Sequence, residues 1–340
     1  MGGKDVIILG IESSCDDTSA AILKNGKIHS NIVANQKVHE DYGGVVPELA
    51  SRAHQQNIVP VVDKAIKNAA INKEDIDAVA FTRGPGLMGS LIVGTSFAKS
   101  FALGMDIPII NVNHMQGHVL AHFIENEEGR YPAFPFICMT VSGGHTQLVL
   151  VRDYFDMEIL GQTIDDAAGE AFDKAAKIMG LPYPGGPLID KYAKEGDRKR
   201  FPFPVSNLEG YNYTFSGLKT SLLYFLKKEV ENDANFIDEN LNDICASYQS
   251  TIIQSLFKKL IRATKDFDVK HVAIAGGVSA NSLLRSELKR IGKREGWETY
   301  IPPFQYCTDN AGMIAIAGYY KYLNNEFADQ DITPNARLKF

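Results

Sequence analysis

The sequence has 340 residues with 45% apolar and 22% charged side chains, enough chain for two cores of ordinary globular composition. Lys and Arg number 35 and Asp and Glu 41, so the net charge of −6 excludes a uniformly basic nucleic-acid binder that works alone. Cys15, Cys138, Cys245 and Cys307 are scattered without a CxxC pair, which argues against a disulfide framework or a zinc ribbon and suits a reducing cytosol.

Residues 6–11 are a short apolar run that reads as a buried strand, followed by strands over 20–23 and 27–33 around the hairpin signal Asn25-Gly26. Helical spacing covers 47–70. A strand over 78–82 leads into the turn Arg83-Gly84-Pro85-Gly86, then a helix over 87–103, a strand over 107–112 and a helix over 114–123. The pattern restarts with strands over 136–141 and 146–151 about the turn Ser142-Gly143-Gly144. A mostly helical stretch runs from 165 to 265. The chain closes with a strand over 271–275, the turn Gly276-Gly277, a helix over 279–289, a strand over 297–301 and a helix over 309–322 capped by Asp309. Two halves thus repeat one order of elements without visible identity, which predicts an α/β protein of two lobes. The apolar stretch at the start is too short for a signal peptide or a membrane span, and Val6 stands where a myristoylation signal needs Ser or Thr. The expected location is the cytoplasm, with no membrane contact.

His114 and His118 lie four apart on a predicted helix, which puts both imidazoles on one face where they could share a metal. His122 extends the stripe by four more, so spacing leaves the pair undecided, and it leaves open that all three are structural. Met115 follows His114 where a zincin helix carries its catalytic Glu, which speaks against a metallopeptidase. The glycine turns at 142–144 and 276–277 suit either a plain turn or a backbone approach to phosphate. Asp16-Asp17 reads as a turn pair or as a proton acceptor beside a reacting amine. Two basic clusters, 191–200 and 285–294, fit a solvated face or a local contact with nucleic acid. A nucleotide-dependent switch or scaffold is the other class to weigh, and it would need Mg²⁺ on oxygen ligands rather than imidazoles.

Several segments together resemble one family. They include Gly10-Ile11-Glu12-Ser13-Ser14-Cys15-Asp16-Asp17-Thr18, Gly43-Gly44-Val45-Val46-Pro47-Glu48, His114-Met115-Gln116-Gly117-His118 and Val141-Ser142-Gly143-Gly144-His145-Thr146. The others are Asp165-Asp166-Ala167-Ala168-Gly169-Glu170-Ala171-Phe172-Asp173-Lys174, Tyr183-Pro184-Gly185-Gly186-Pro187, Gly276-Gly277-Val278-Ser279-Ala280-Asn281 and Cys307-Thr308-Asp309-Asn310. In this order they are similar to the TsaD family of tRNA N6-adenosine threonylcarbamoyltransferases, formerly described as O-sialoglycoprotein endopeptidases, and to its bacterial and mitochondrial branch. Asn113 departs from the pattern, since relatives often carry a second His there.

The resemblance implies a two-lobed actin-like ATPase fold (a duplicated RNase H-like unit) with helical insertions. The lobes would cover 5–132, completed by a helix over 309–325, and 133–308, with the insertion at about 165–265. It implies transfer of threonylcarbamoyl from threonylcarbamoyl-AMP to the adenosine 3′ of the anticodon in tRNAs that read codons starting with A. His114, His118 and Asp309 would hold one divalent metal per subunit, iron in preference to zinc. Thr140, Val141, Ser142, Gly143, Gly144, Asp173, Gly186, Asp190 and Asn281 would bind the adenylate; for such a transfer the weakly nucleophilic adenine amine needs a nearby carboxylate, and Asp16 is the expected proton acceptor. The implied partners are tRNA, a TsaB-like paralogue docked on the region 43–68, a TsaE-like ATPase and an upstream synthase that makes the adenylate. A mitochondrial member could act without the paralogue, but an Arg-rich and Ser-rich leader is not visible here.

Overall fold

A computed structural model describes residues 5–36, 39, 42–126 and 129–340. Residues 1–4, where a myristoylation signal would begin, lie outside the described residues. The chain divides into two compact units, Met1–Tyr131 with Pro302–Phe340, and Pro132–Ile301.

The first unit is built on β1 (Ile7–Glu12), β2 (Thr18–Lys24), β3 (Lys27–Ala34), β4 (Ala78–Gly84) and β5 (Ile109–Asn113), in the sheet order β3-β2-β1-β4-β5. β1, β2 and β3 pair antiparallel, whereas β4 runs parallel to both β1 and β5. All six residues of β1 are buried because helices cover both faces of the sheet. Odd positions Ile7, Leu9 and Ile11 share a core with Ile58, Val61 and Val62 of α1 (Pro47–Asn68) and with Ala98 and Ala102 of α2 (Met88–Met105). Even positions face α9 (Ala311–Leu323). There Gly10 allows a close approach: a Cβ at that position would sit 2.5 Å from the Ala311 carbonyl oxygen. Burying each Ile or Leu of this layer contributes about 1.5–3 kcal/mol. α3 (His114–Leu120) follows β5 directly.

The second unit repeats the topology. β6 (Phe136–Val141), β7 (Thr146–Val151), β8 (Met157–Gln162), β9 (His271–Ala275) and β10 (Glu298–Tyr300) lie in the order β10-β9-β6-β7-β8. β6 to β8 pair antiparallel, and β6, β9 and β10 pair parallel, as in the first unit. The doubled sheet is the arrangement expected of a duplicated actin-like fold. The predicted helical stretch resolves into α4 (Ala168–Ile178), α5 (Gly185–Ala193), α6 (Ser216–Asn232) and α7 (Phe236–Asp266), with α8 (Ser282–Glu295) between β9 and β10. Their core includes Phe172, Tyr213, Phe215 and Tyr248.

Three sequence expectations need correction. β8 was not foreseen: only Gly161 of its six residues is buried, and its register with β7 is irregular, so no clean apolar period marks it. The last helix starts at Ala311 rather than 309, and its cap is Asn310, whose side chain accepts from Met313 N, which frees Asp309 from a capping role. Asn281, read as lying inside a helix over 279–289, is instead the N-cap of α8.

Candidate metal centre and substrate turns

Asn113 caps α3, so its first residue, His114, emerges at the end of β5 with His118 one turn later on the same face. The rings lie 4.8 Å apart at an interplanar angle of 89°. Both Nε2 atoms converge on Oδ1 of Asp309, His118 at 3.1 Å and His114 at 3.4 Å. Adjacent ligands about 2.0–2.1 Å from a tetrahedral ion stand roughly 3.4 Å apart, so the spacing matches a shared divalent cation. Among the described residues these three alone form such a cluster, their ligand atoms within 4.8 Å of one another. His122, on the turn Ala121–Phe123, is buried outside it. Two neutral nitrogens and one carboxylate leave coordination positions open, a donor set suited to iron or zinc.

Behind the triad sits a residue to which the sequence reading gave no role. Glu12, fully buried at the end of β1, accepts from Ser14 N at 2.5 Å and from the Thr82 hydroxyl at 2.6 Å. Its Oε2 lies 3.0 Å from His114 Nδ1, which also has the Ser14 hydroxyl at 3.1 Å. A carboxylate on Nδ1 fixes the tautomer that presents Nε2 to an ion. Burial opposes the charged form of His114, yet Asp309 and Glu12 on either side hold its pKa well above the ordinary value. Burial would likewise raise both carboxyls, but facing His114 holds Glu12 low, and His114 with His118 hold Asp309 well below the carboxylate range. A cation entering the cluster therefore displaces a proton. The signal for Glu12 was its presence inside the quoted opening motif.

Asp16 and Asp17 lie half-buried on the turn between β1 and β2. Burial, then the neighbouring Asp16 charge, pushes Asp17 up to about 7. The turn is braced by His54 of α1, whose Nε2 lies 2.9 Å from the Cys15 carbonyl and whose Nδ1 lies 2.8 Å from the Thr18 hydroxyl.

The other predicted site residues belong to the second unit. Thr140 and Val141 are buried at the end of β6, and Ser142-Gly143-Gly144 turns outward, with Gly143 and Gly144 exposed. Ser142 N donates to the His145 carbonyl at 2.7 Å, and Gly169 N in the first turn of α4 donates to the Ser142 carbonyl at 3.1 Å. The turn thus lies against a helix N-terminus, which favours an anion. Gly276, at φ 85°, packs so closely on Val141 that a Cβ would come 2.5 Å from its carbonyl oxygen, so the two glycine turns adjoin.

Asp173 Oδ1 accepts from Gly185 N at 2.8 Å and Gly186 N at 3.2 Å. Burial raises its pKa against those two hydrogen bonds. Asp190 accepts from Ser282 N at 3.1 Å and from its hydroxyl at 2.7 Å. Asn281 caps α8 through Leu284 N at 3.0 Å, and its Nδ2 donates to Gln249 of α7 at 2.7 Å. These residues form a connected set across α4, α5, α7 and α8, in which buried Gln249 is a second member that sequence reading did not single out. The two basic clusters also meet, through Arg198 Nη1 and Glu287 Oε1 at 3.9 Å. Residues 191–200 and α8 each carry five cations against two acids, in a chain whose net charge is −6.

Comparison with known proteins follows the same lines. A family model described as tRNA N6-adenosine threonylcarbamoyltransferase matches residues 27–316. A protein of that name from Christiangramia forsetii is 63% identical over 340 residues, covering 100% of both chains. One from Cytophaga hutchinsonii is 60% identical over 334 residues, covering 98% of this chain and 96% of its own. Among solved structures, HypF of T. kodakarensis superposes with a TM-score of 0.61 at 15% identity over 95% of this chain and 48% of that one. Component A of the Acidaminococcus fermentans (R)-2-hydroxyglutaryl-CoA dehydratase does so with a TM-score of 0.54 at 16% identity, over 94% and 100%. The solved structures share the fold alone. At 63% identity over its full length, this chain belongs to the tRNA N6-adenosine threonylcarbamoyltransferase family.

Proposed function

We propose that the chain transfers a threonylcarbamoyl group from threonylcarbamoyl-AMP to N6 of the adenosine 3′ of the anticodon in tRNAs that read codons starting with A. The observation that carries the proposal is the convergence of His114, His118 and Asp309 within a chain of this family, with Glu12 set behind it. Those three residues would hold the divalent ion, iron in preference to zinc. When bound, it supplies a positive charge that orients the phosphate and stabilises charge developing on it.

The chain's own groups account for the rest. The turn 142–144, against the N-terminus of α4, offers backbone N–H groups to the adenylate phosphate. Asp173, Gly186, Asp190 and Asn281 define the wall that meets the nucleoside. The tRNA amine attacks the carbamoyl carbon, AMP leaves with the bonding pair on its phosphate oxygen, and the N6 proton passes to a carboxylate. Asp16 takes that proton. A second reading gives it to Asp17, because a pKa of about 7 suits a base working near neutrality.

A peptidase reading has no support at the centre, because Met115 and Gln116 follow His114 and bring no carboxylate. A pure switch would leave two converging imidazoles without use. The proposed TsaB-like paralogue docks on the region 43–68, where Val59 of α1 is exposed. A TsaE-like ATPase and a synthase making the adenylate complete the system, with the cytoplasm as its place. Among the described residues no helix is long and apolar enough to cross a membrane.

The test incubates the purified chain with threonylcarbamoyl-AMP and unmodified tRNA, with and without partners, and analyses the nucleosides by mass spectrometry. Threonylcarbamoyladenosine that depends on His118 is expected. Its absence with every partner present would refute the proposal.

A further inference from the structure

Asn113 stands directly before His114, the first residue of α3. Only 6% exposed, its amide is used at both ends. Oδ1 accepts from Met115 N at 2.9 Å and Gln116 N at 3.3 Å, capping α3. Nδ2 donates to the Lys339 carbonyl at 3.1 Å, 226 residues further along. α3 has seven residues, too few to hold its own place, so its position depends on what grips its ends.

The segment that carries Lys339 is fastened to the same end of the first sheet at three further points. Arg83 Nε donates to the Thr333 carbonyl at 3.1 Å, Asn335 N donates to the Arg83 carbonyl at 2.8 Å, and Gly86 N donates to the Ala336 carbonyl at 3.3 Å. The turn 83–87 then reaches the metal centre by a second path. Leu87 N donates to the Ser14 carbonyl at 2.7 Å, and the Ser14 hydroxyl lies 3.1 Å from His114 Nδ1.

We infer that residues 333–339 form a strap that sets the position of His114, directly through Asn113 and indirectly through the 83–87 turn, and that Asn113 is thereby a positioning residue for the metal centre. The inference rests on the metal reading above. An amide suits the post because it accepts from N–H groups while donating to a carbonyl, whereas a carboxylate does only the first. Asn113→Asp therefore keeps the cap and breaks the strap, and Asn113→Ala breaks both. Arg83→Met loosens the strap at its far end without touching α3.

Zn²⁺ affinity of each full-length variant is measured by competition with a chromophoric chelator, beside the melting curve of the metal-free protein. His118→Ala identifies the binding that belongs to this centre. Asn113→Asp and Asn113→Ala are expected to weaken Zn²⁺ binding about 10–100-fold, the range for lost support of a metal ligand, with Arg83→Met shifted the same way. Asn113→Asp that binds Zn²⁺ as tightly as the unaltered protein would overturn the strap, leaving only a helix cap. If Asn113→Ala fails to fold, Asn113→Asp and Arg83→Met still decide. An unaltered protein whose Zn²⁺ binding is indifferent to His118→Ala would instead overturn the metal reading, and the strap with it.

Discussion

Replacing Glu12 with Gln preserves the side chain's shape and changes only its charge and one of its acceptors. In the native site both carboxylate oxygens are occupied, Oε1 by Ser14 N, and Oε2 by the Thr82 hydroxyl and the His114 ring. A Gln carbonyl can still accept from Ser14 N. Its NH₂ then faces His114 Nδ1, and two donors cannot share that contact. When the ring gives up one proton to become a ligand, the tautomer that avoids this conflict keeps the other on Nε2, the atom that points at Asp309 3.4 Å away. The nitrogen meant for the ion is then blocked. Losing an outer partner of a metal-bound His weakens binding about 10–100-fold, or roughly 1.4–2.8 kcal/mol, and the inverted tautomer puts Glu12→Gln at the upper end. The assay is chelator competition on the purified variant, with transfer to tRNA measured at saturating metal. Weaker binding with partial rescue of activity by excess metal is expected. A variant that binds metal like the unaltered protein would show that Glu12 does not set the tautomer.

His118→Ala should lose bound metal and transfer activity while staying folded, and His122→Ala should keep both, as read by elemental analysis, melting curves and nucleoside analysis; the reverse result would shift the ligand pair by one turn. Asp16→Asn should lower kcat at least 100-fold without changing metal content, and if Asp17→Asn does so while Asp16→Asn does not, the proton goes to Asp17. Burial and Asp16 raise Asp17 from 3.8 to about 7, so the folded state binds the proton more tightly than the unfolded one, and stability falls as pH rises between those values. That rise corresponds to at most about 4 kcal/mol, so Asp17→Asn should raise the Tm of the metal-free protein at pH 8 and leave it nearly unchanged at pH 3.5. Charge reversal at Lys289 and Lys293, both exposed on α8, should weaken tRNA binding by the partnered enzyme and flatten its salt dependence; an unchanged slope would return that face to solvent.

The sequence displayed those features whose cause is local. β1 reads as a strand because helices on both faces demand an unbroken apolar run, and the turn after β9 shows itself through two glycines. The spacing of His114 and His118 places them on one helix face. It says nothing of Asp309, 191 residues beyond His118, and cannot rank His122, which continues the stripe. Only similarity to a family supplied that choice. The Asp309-Asn310 pair shows a finer limit. Either side chain can cap a helix, and the structure uses Asn310 because Asp309 faces two imidazoles. Glu12 was hidden for a related reason. A fully buried acid in a strand is legible only once its partners, Thr82 and His114, are seen to converge on it.

The doubled topology puts the proposed site residues at the ends of corresponding strands. In each unit three parallel-paired strands end at the same edge, β1, β4 and β5 in the first and β6, β9 and β10 in the second. Ligands of open α/β sheets gather at the carboxyl ends of such strands. The first unit puts the Asp16-Asp17 turn after β1, the 83–87 turn after β4 and His114 after β5. The second puts Ser142-Gly143-Gly144 after β6, Gly276-Gly277 after β9, and the segment leading to Asp309 after β10. Corresponding positions thus carry different chemical groups. One copy carries imidazole and carboxylate, groups that bind a cation and move a proton; the other carries glycine and backbone N–H groups, which suit an anion. Asp309 follows the last strand of the second copy but belongs to the first unit, where it closes the triad. The candidate metal cluster therefore cannot assemble until the chain beyond β10 has packed on the first sheet through α9. Gly10 and Ala80 govern that packing, since α9 approaches the sheet there. Gly10→Val, which drives a side chain into the Ala311 carbonyl, should cost metal binding and the stability of the first unit together, whereas His118→Ala should cost the first alone.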